Sequence, residues 1–218
     1  MPLSASERSA HTASLLSGCP VVPVITIERS ADAVPLARAL VAGGIRAIEI
    51  TLRTPAARDA AAAIVKDVPE AIVGVGTVLN PGDLATARDL GARFIVSPGA
   101  TPDLLAAAAA SDLPFLPGVQ TASELMACLA AGFDIVKLFP AVPAGGLALL
   151  RALAGPFPGV RFCPTGGIGE GNAAEWLAEP NVLAVGGSWV APPGAIRKGD
   201  WAAITASAQH AQALMLGR

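Results

Sequence analysis

Lys137 sits inside IVKLFPA (135–141), flanked by Ile135, Val136, Leu138 and Phe139. The other lysines, Lys66 in AIVKDVPE and Lys198 in IRKGD, have polar neighbours that suit the surface. An amine held among apolar side chains sheds its proton more readily than one in water, and a neutral amine adds to carbonyls. Schiff-base chemistry needs that combination. The structural alternative is a strand-end lysine whose ammonium reaches water or a nearby carboxylate. In EITLR (49–53), Glu49, Thr51 and Arg53 alternate and so share one strand face. Two charges and a hydroxyl on an apolar element need partners or a ligand. Arg53 offers a planar fork for a carboxylate, and Glu49 a carboxyl that can move protons. A structural Glu–Arg pair explains the same pattern equally well.

Two Gly-Gly pairs add a different capacity. CPTGGIGEGN (163–172) and VGGSW (185–189) each follow a short apolar run. Thr165, Gly166, Gly167, Gly186, Gly187 and Ser188 supply hydroxyls and bare backbone N–H groups of the kind that hold phosphate. Turns requiring positive φ are the alternative explanation. In VGVGTVLNPG (73–82), Gly74 and Gly76 read as positions where a ligand approaches the backbone, with Thr77 adding a hydroxyl; a tight turn into the next helix explains them as well. SPG (97–99) is a weaker signal. Phe139 shares a strand face with Lys137, as an apolar wall or as ordinary core. A carboxylate fork, a lone amine and a phosphate nest together suit a 2-keto acid with a distal phosphate.

The elements that would hold these residues are regular. Strands are expected over 21–27, 47–53, 71–77, 94–99, 114–119, 135–140, 160–166 and 183–188, each followed by an Ala-rich helical stretch. Runs apolar on both faces, each leading into a helix, indicate parallel strands covered by helices. Eight such units predict a closed (β/α)8 TIM barrel in which residues 1–218 form a single domain, and residues 4–17 predict an extra N-terminal helix plugging the barrel bottom. An open doubly wound sheet is the alternative. Thr54-Pro55 and Thr101-Pro102 read as cap residues before a first-turn proline, and Thr121 with Glu124 as a capping box. Gly43-Gly44, Gly91 and Gly132 fall where helices stop. A barrel collects its unusual residues at the C-terminal ends of its strands, and the candidates above lie there.

Composition closes off other classes. Net charge is −2 and charged residues are 15%, so there is no basic stripe for nucleic acid. Aromatics are 4%, with no Tyr, leaving few stacking platforms. No apolar run is long enough to span a membrane, and the N-terminus lacks the pattern of a secretory signal. Cys19, Cys128 and Cys163 are widely spaced, forming neither a metal pattern nor a disulfide framework. They suit a soluble protein of the reducing cytoplasm. No His/Cys/Asp/Glu cluster has metal-ligand spacing, and neither G-x-G-x-x-G after the first strand nor a Walker loop is found. His11 and His210 read as surface helix residues.

The assembled segments VVPVI, ITLRTP, VGVGTVLNP, SPG, VKLFPA, RFCPTGGI and GGSW span nearly the whole chain. Together they resemble the 2-dehydro-3-deoxy-6-phosphogluconate (KDPG) and 4-hydroxy-2-oxoglutarate (KHG) aldolases. The resemblance implies a cofactor-free and metal-free class I aldolase of the Entner–Doudoroff pathway, a homotrimer of (β/α)8 barrels. It implies that Lys137 forms the Schiff base and that Glu49 is the general acid/base, acting through a water. It further implies that Arg53 and Thr77 hold the keto-acid carboxylate, that Pro98 and Phe139 wall the pocket, and that Gly166, Gly167 and Ser188, with Gly186 and Gly187 nearby, hold the phosphate. Thr165 matches a position tied to stereochemistry at C4, where enzymes specific for the galactonate epimer often carry Val, and so favours the gluconate substrate. One departure is Val142, which stands where the family carries an acidic residue after FPA. Two competing readings remain at this level. One is a phosphosugar isomerase or epimerase on the same barrel, with Glu49 as base and no covalent intermediate. The other is a non-catalytic barrel that binds a phosphorylated keto acid.

Overall fold

A computed structural model describes residues 3–214 of the chain. It opens with α1 (Ala5–Leu16), capped by Ser4, whose side chain accepts from the Glu7 N–H while Glu7 bonds back to the Ser4 N–H. The chain then alternates: β1 (Val21–Ile25), α2 (Ala33–Ala42), β2 (Ala47–Thr51), α3 (Ala57–Asp67), β3 (Ile72–Gly76), α4 (Pro81–Asp89), β4 (Phe94–Val96) and α5 (Pro102–Ala109). There follow β5 (Phe115–Leu116), β6 (Gly118–Val119), α6 (Ala122–Ala130), β7 (Ile135–Leu138), α7 (Gly146–Ala154), β8 (Arg161–Phe162), α8 (Ala173–Leu177), β9 (Val185–Gly187), α9 (Pro193–Lys198) and α10 (Trp201–Ala213). Among the described residues no helix is long and apolar enough to cross a membrane.

All strand pairs are parallel. One sheet runs β5-β4-β3-β2-β1-β9 and the other β6-β7-β8. The expected strand 114–119 is divided at Pro117, which has no N–H for the ladder; β5 pairs in the first sheet and β6 in the second. At the opposite margin, bridges Phe162–Val182 and Thr165–Gly186 join the β8 segment to the β9 segment. The result is a curled parallel α/β sheet.

Side-chain alternation along the strands sorts the core into two layers. Ile48, Ile50, Val73, Val75 and Ile95 point out and pack with helix residues such as Leu36, Leu40 and Ile64. Ala47, Phe94, Val96, Leu116, Ile135, Cys163 and Ala184 form a second cluster on the other face, joined by Leu16 from the end of α1. Burying such side chains is worth about 1.5–3 kcal/mol each for the larger ones. The inner cluster forms an apolar floor, and the next inward residues, Glu49 and Lys137, lie one layer above it.

Several local expectations hold. Thr101 accepts from the Leu104 N–H ahead of Pro102, Thr121 and Glu124 form a reciprocal capping box, and Gly91 and Gly132 follow helix ends with φ of 78° and 83°. His11, His210, Lys66 and Lys198 are exposed. Others need correction. Thr54-Pro55 does not cap a helix: α3 begins at Ala57, and the Thr54 hydroxyl donates instead to the Ile27 carbonyl, two residues past β1. The strand expected over 160–166 is regular only at Arg161–Phe162, because Pro164 interrupts its donors. Helix α9 was not expected; its six residues open Pro-Gly, a composition that reads as loop.

Candidate active site

Lys137 and Glu49 form the centre. Lys137 Nζ lies 3.4 Å from Glu49 Oε1, and both side chains are about 4–5% exposed. Register explains the meeting. Glu49 pairs with Val24 on one side and Gly74 on the other, while Lys137 pairs with Gly118. Glu49 needs room, and Gly76 provides it: a Cβ there would lie 2.6 Å from Glu49 Cγ. Gly74 in turn accommodates the Phe94 ring. These two glycines therefore make space for protein side chains, which corrects the expectation that they admit a ligand. Gly118 likewise lies against the Pro98 carbonyl.

Lys137 faces a cavity of about 260 Å³ at the C-terminal ends of the strands. Phe139 forms one wall, with its ring centroid 5.2 Å from Lys137 Nζ. Gly166, Gly167, Gly186, Gly187 and Ser188 line the far side, and Thr165 lies between them and the lysine. Gly166 and Gly167 have φ of 102° and 80°, the left-handed region that other residues enter at a cost. Gly186 and Gly187 make room for the Thr165 side chain and the Trp189 indole. The glycines thus serve both turn geometry and an open cavity wall. Pro193 and Ile196 from α9 close the same side; this contribution was not legible beforehand, and neither was that of Val24 and Thr26 from the β1 end.

Arg53 lies beyond the last residue of β2 and is exposed, lining the cavity rim. Its Nε donates to Thr77 Oγ1 at 3.2 Å. Thr77 is the non-glycine residue with positive φ, 62°, among those described. Such a conformation is costly and is kept where the surroundings enforce it. Arg53 and Thr77 also border an adjoining depression with Arg58 and Asn80. Thr77, Pro98 and Glu49 do not line the main cavity; Glu49 is reached past Lys137. Thr51, expected on the same face as Glu49, spends its hydroxyl elsewhere, donating to the Ile25 carbonyl at 2.9 Å.

Below the lysine, burial pushes the Cys163 thiol up to about 12, opposed by the nearby Lys137 charge. It stays a protonated, unreactive part of the floor. Cys19, Cys128 and Cys163 are all free and buried. Among the described residues no group of three or more His, Cys, Asp or Glu is placed to hold a metal ion.

Fold and cavity together define a parallel α/β protein with a lysine–carboxylate pair at the base of a pocket edged by arginine and glycine-rich turns. Residues 13–207 match the family described as KDPG and KHG aldolase, and the chain belongs to that family. It is 52% identical over 198 residues to the KHG/KDPG aldolase of Escherichia coli (strain K12), covering 91% of this chain and 93% of that relative. It is 50% identical to the 2-dehydro-3-deoxy-phosphogluconate aldolase of Dickeya dadantii (strain 3937), with 91% and 93% covered. Among solved structures, KDPG aldolase from Legionella pneumophila, with pyruvate captured at low pH as a covalent carbinolamine intermediate, superposes with TM-score 0.89 at 46% identity, covering 91% of this chain and 96% of that one. The Zymomonas mobilis ZM4 enzyme with 3-phosphoglycerate gives 0.89 at 49% identity, covering 93% and 95%.

Proposed function

We propose that this chain is a class I aldolase, a lyase that cleaves KDPG to pyruvate and glyceraldehyde 3-phosphate and also acts on KHG, giving pyruvate and glyoxylate. The observation that carries this is Lys137, buried at the base of the cavity 3.4 Å from the Glu49 carboxylate. Family membership and relatives near 50% identity named for these substrates support it.

The Lys137 amine adds to the C2 ketone, and loss of water leaves an iminium. The iminium draws electrons from the C3–C4 bond once the C4 hydroxyl gives up its proton. Glu49, behind Lys137, takes that proton through a water. Glyceraldehyde 3-phosphate departs, leaving the enamine of pyruvate. Protonation at C3 and hydrolysis release pyruvate and restore the amine. In this reading Arg53, steadied by Thr77, holds the substrate carboxylate. Phe139 walls the keto-acid half, and the glycine pairs with Ser188 receive the phosphate. Thr165 lies beside the reacting carbon.

The architecture completes the reading. The two sheets, contiguous across Pro117 and bridged between the β8 and β9 segments, form one closed (β/α)8 barrel domain, with α1 covering its floor through Leu16. The protein works as a cytoplasmic homotrimer in the Entner–Doudoroff pathway. Pyruvate release from KDPG and from KHG, followed by a lactate dehydrogenase couple, tests the activity. Turnover of KDPG that disappears in Lys137→Ala is expected. Turnover at the wild-type rate by Lys137→Ala would end the assignment.

A further inference from the structure

Thr26, half-buried just past the end of β1, lines the cavity, and the reaction above gives its hydroxyl no work. Its oxygen lies 3.2 Å from Thr51 Oγ1. A hydroxyl has one proton to give. Thr51, fully buried, donates its proton to the Ile25 carbonyl at 2.9 Å. The proton between the two threonines therefore comes from Thr26. That bond is the one the Thr26 hydroxyl makes among the described residues. With its one proton spent on Thr51, the hydroxyl of this cavity-lining residue has only acceptor capacity left.

The position is informative too. Strand β1 lies between β2 and β9, with Val24 opposite Glu49 and Pro23 opposite Gly187. Past the strand end, Thr26 thus stands between the side carrying Arg53 and the side carrying Ser188. Thr165, one strand beyond β9, has its proton tied in the same way, donating to the Cys163 carbonyl at 3.3 Å. The cavity therefore offers two hydroxyl acceptors, one on each flank of β9: Thr165, bound directly to a backbone carbonyl, and Thr26, bound to one through the Thr51 hydroxyl. A phosphorylated keto acid of the proposed kind has two hydroxyls between its carbonyl carbon and its phosphate.

We infer that Thr26 is a specificity-determining residue that accepts a hydrogen bond from the hydroxyl next to the phosphate-bearing carbon, the C5 hydroxyl of KDPG. This rests on the aldolase reading above. An acceptor locked by the Thr26–Thr51–Ile25 chain favours a substrate O–H there and leaves its own lone pairs unmet when that hydroxyl is missing.

The test runs the reaction towards condensation with pyruvate. Two acceptor aldehydes are compared, glyceraldehyde 3-phosphate and its analogue lacking the 2-hydroxyl, 3-oxopropyl phosphate. The enzymes are wild type, Thr26→Val and Thr26→Ser. Wild type should prefer the hydroxylated aldehyde in kcat/KM by about 2- to 13-fold, one net hydrogen bond's worth. Thr26→Val should reduce that preference towards unity, chiefly by slowing glyceraldehyde 3-phosphate, and Thr26→Ser should keep it. Labelling of Lys137 by pyruvate and borohydride should be unchanged in both variants, because Thr26 serves the aldehyde half. An undiminished preference in Thr26→Val, or an equal loss on both aldehydes, would overturn the inference. Failure of wild type to condense either aldehyde would strike the aldolase reading itself, and the inference with it.

Discussion

Gly76→Ala tests the packing argument for the catalytic pair. The backbone of Gly76 is not in the left-handed region, so alanine meets no conformational penalty there. Its new methyl would collide with Glu49 Oε1 and lie 2.6 Å from Cγ and 2.7 Å from Cδ. Ordinary carbon contacts need about 3.5–4.0 Å, so the carboxyl must move. A displacement of about 1 Å at a positioned catalytic group costs on the order of 10²-fold in rate. Overpacking should take about 1–3 kcal/mol from stability. Lys137 itself pairs with Gly118 on a different strand and keeps its place. The expected outcome is a folded protein whose kcat for KDPG falls about 100-fold, still labelled at Lys137 by pyruvate and borohydride. The assay is steady-state pyruvate release beside a urea melt. Wild-type kcat in the folded variant would refute the claim that Glu49, held in the space above Gly76, carries the proton.

Other consequences can be measured independently. Glu49→Gln keeps the shape and removes the charge; turnover should fall roughly 10²–10⁴-fold, and wild-type turnover would exclude Glu49 as proton carrier. Lys137→Met leaves the Glu49 charge buried without its partner and should cost about 3–5 kcal/mol in denaturant unfolding. Lys137→Met/Glu49→Gln should recover much of that, whereas strictly additive losses would show that the pair is not coupled. Arg53→Ala should raise the KM for keto acids and weaken pyruvate binding by calorimetry; unchanged pyruvate affinity would remove Arg53 from the carboxylate. Burial raises the Cys128 and Cys163 thiols to about 12 from 9.0. The folded state therefore holds protons that the unfolded chain loses, so stability should fall as pH rises from about 9 to about 12. Cys128→Ala and Cys163→Ala should each flatten that slope, and an unaltered slope in both would contradict it.

Much of the site was legible because its residues break local rules. A lysine in IVKLFPA and a carboxylate in AIEIT are polar groups in buried strands, and burial of both is what brought them together. Helix ends were readable where the cap lay within a few residues, as at Thr101 and Thr121. Thr54 offered the same local signal but was claimed by the Ile27 carbonyl, a contact across 27 positions that no local pattern records. Gly74 and Gly76 looked like openings for a ligand; only the strand register shows Phe94 and Glu49 filling them. Thr26 was hidden for a related reason. In VVPVITI it looks like an ordinary strand residue, and its isolation depends on Thr51 spending its proton on the neighbouring strand.

The most direct test of the account is an intact-mass spectrum after incubation with pyruvate and borohydride, followed by peptide mapping. The account predicts one reduced pyruvyl adduct per chain, on the peptide containing Lys137, lost in Lys137→Ala. Absence of any adduct while pyruvate demonstrably binds would contradict the covalent mechanism and favour a non-covalent isomerase built on Glu49.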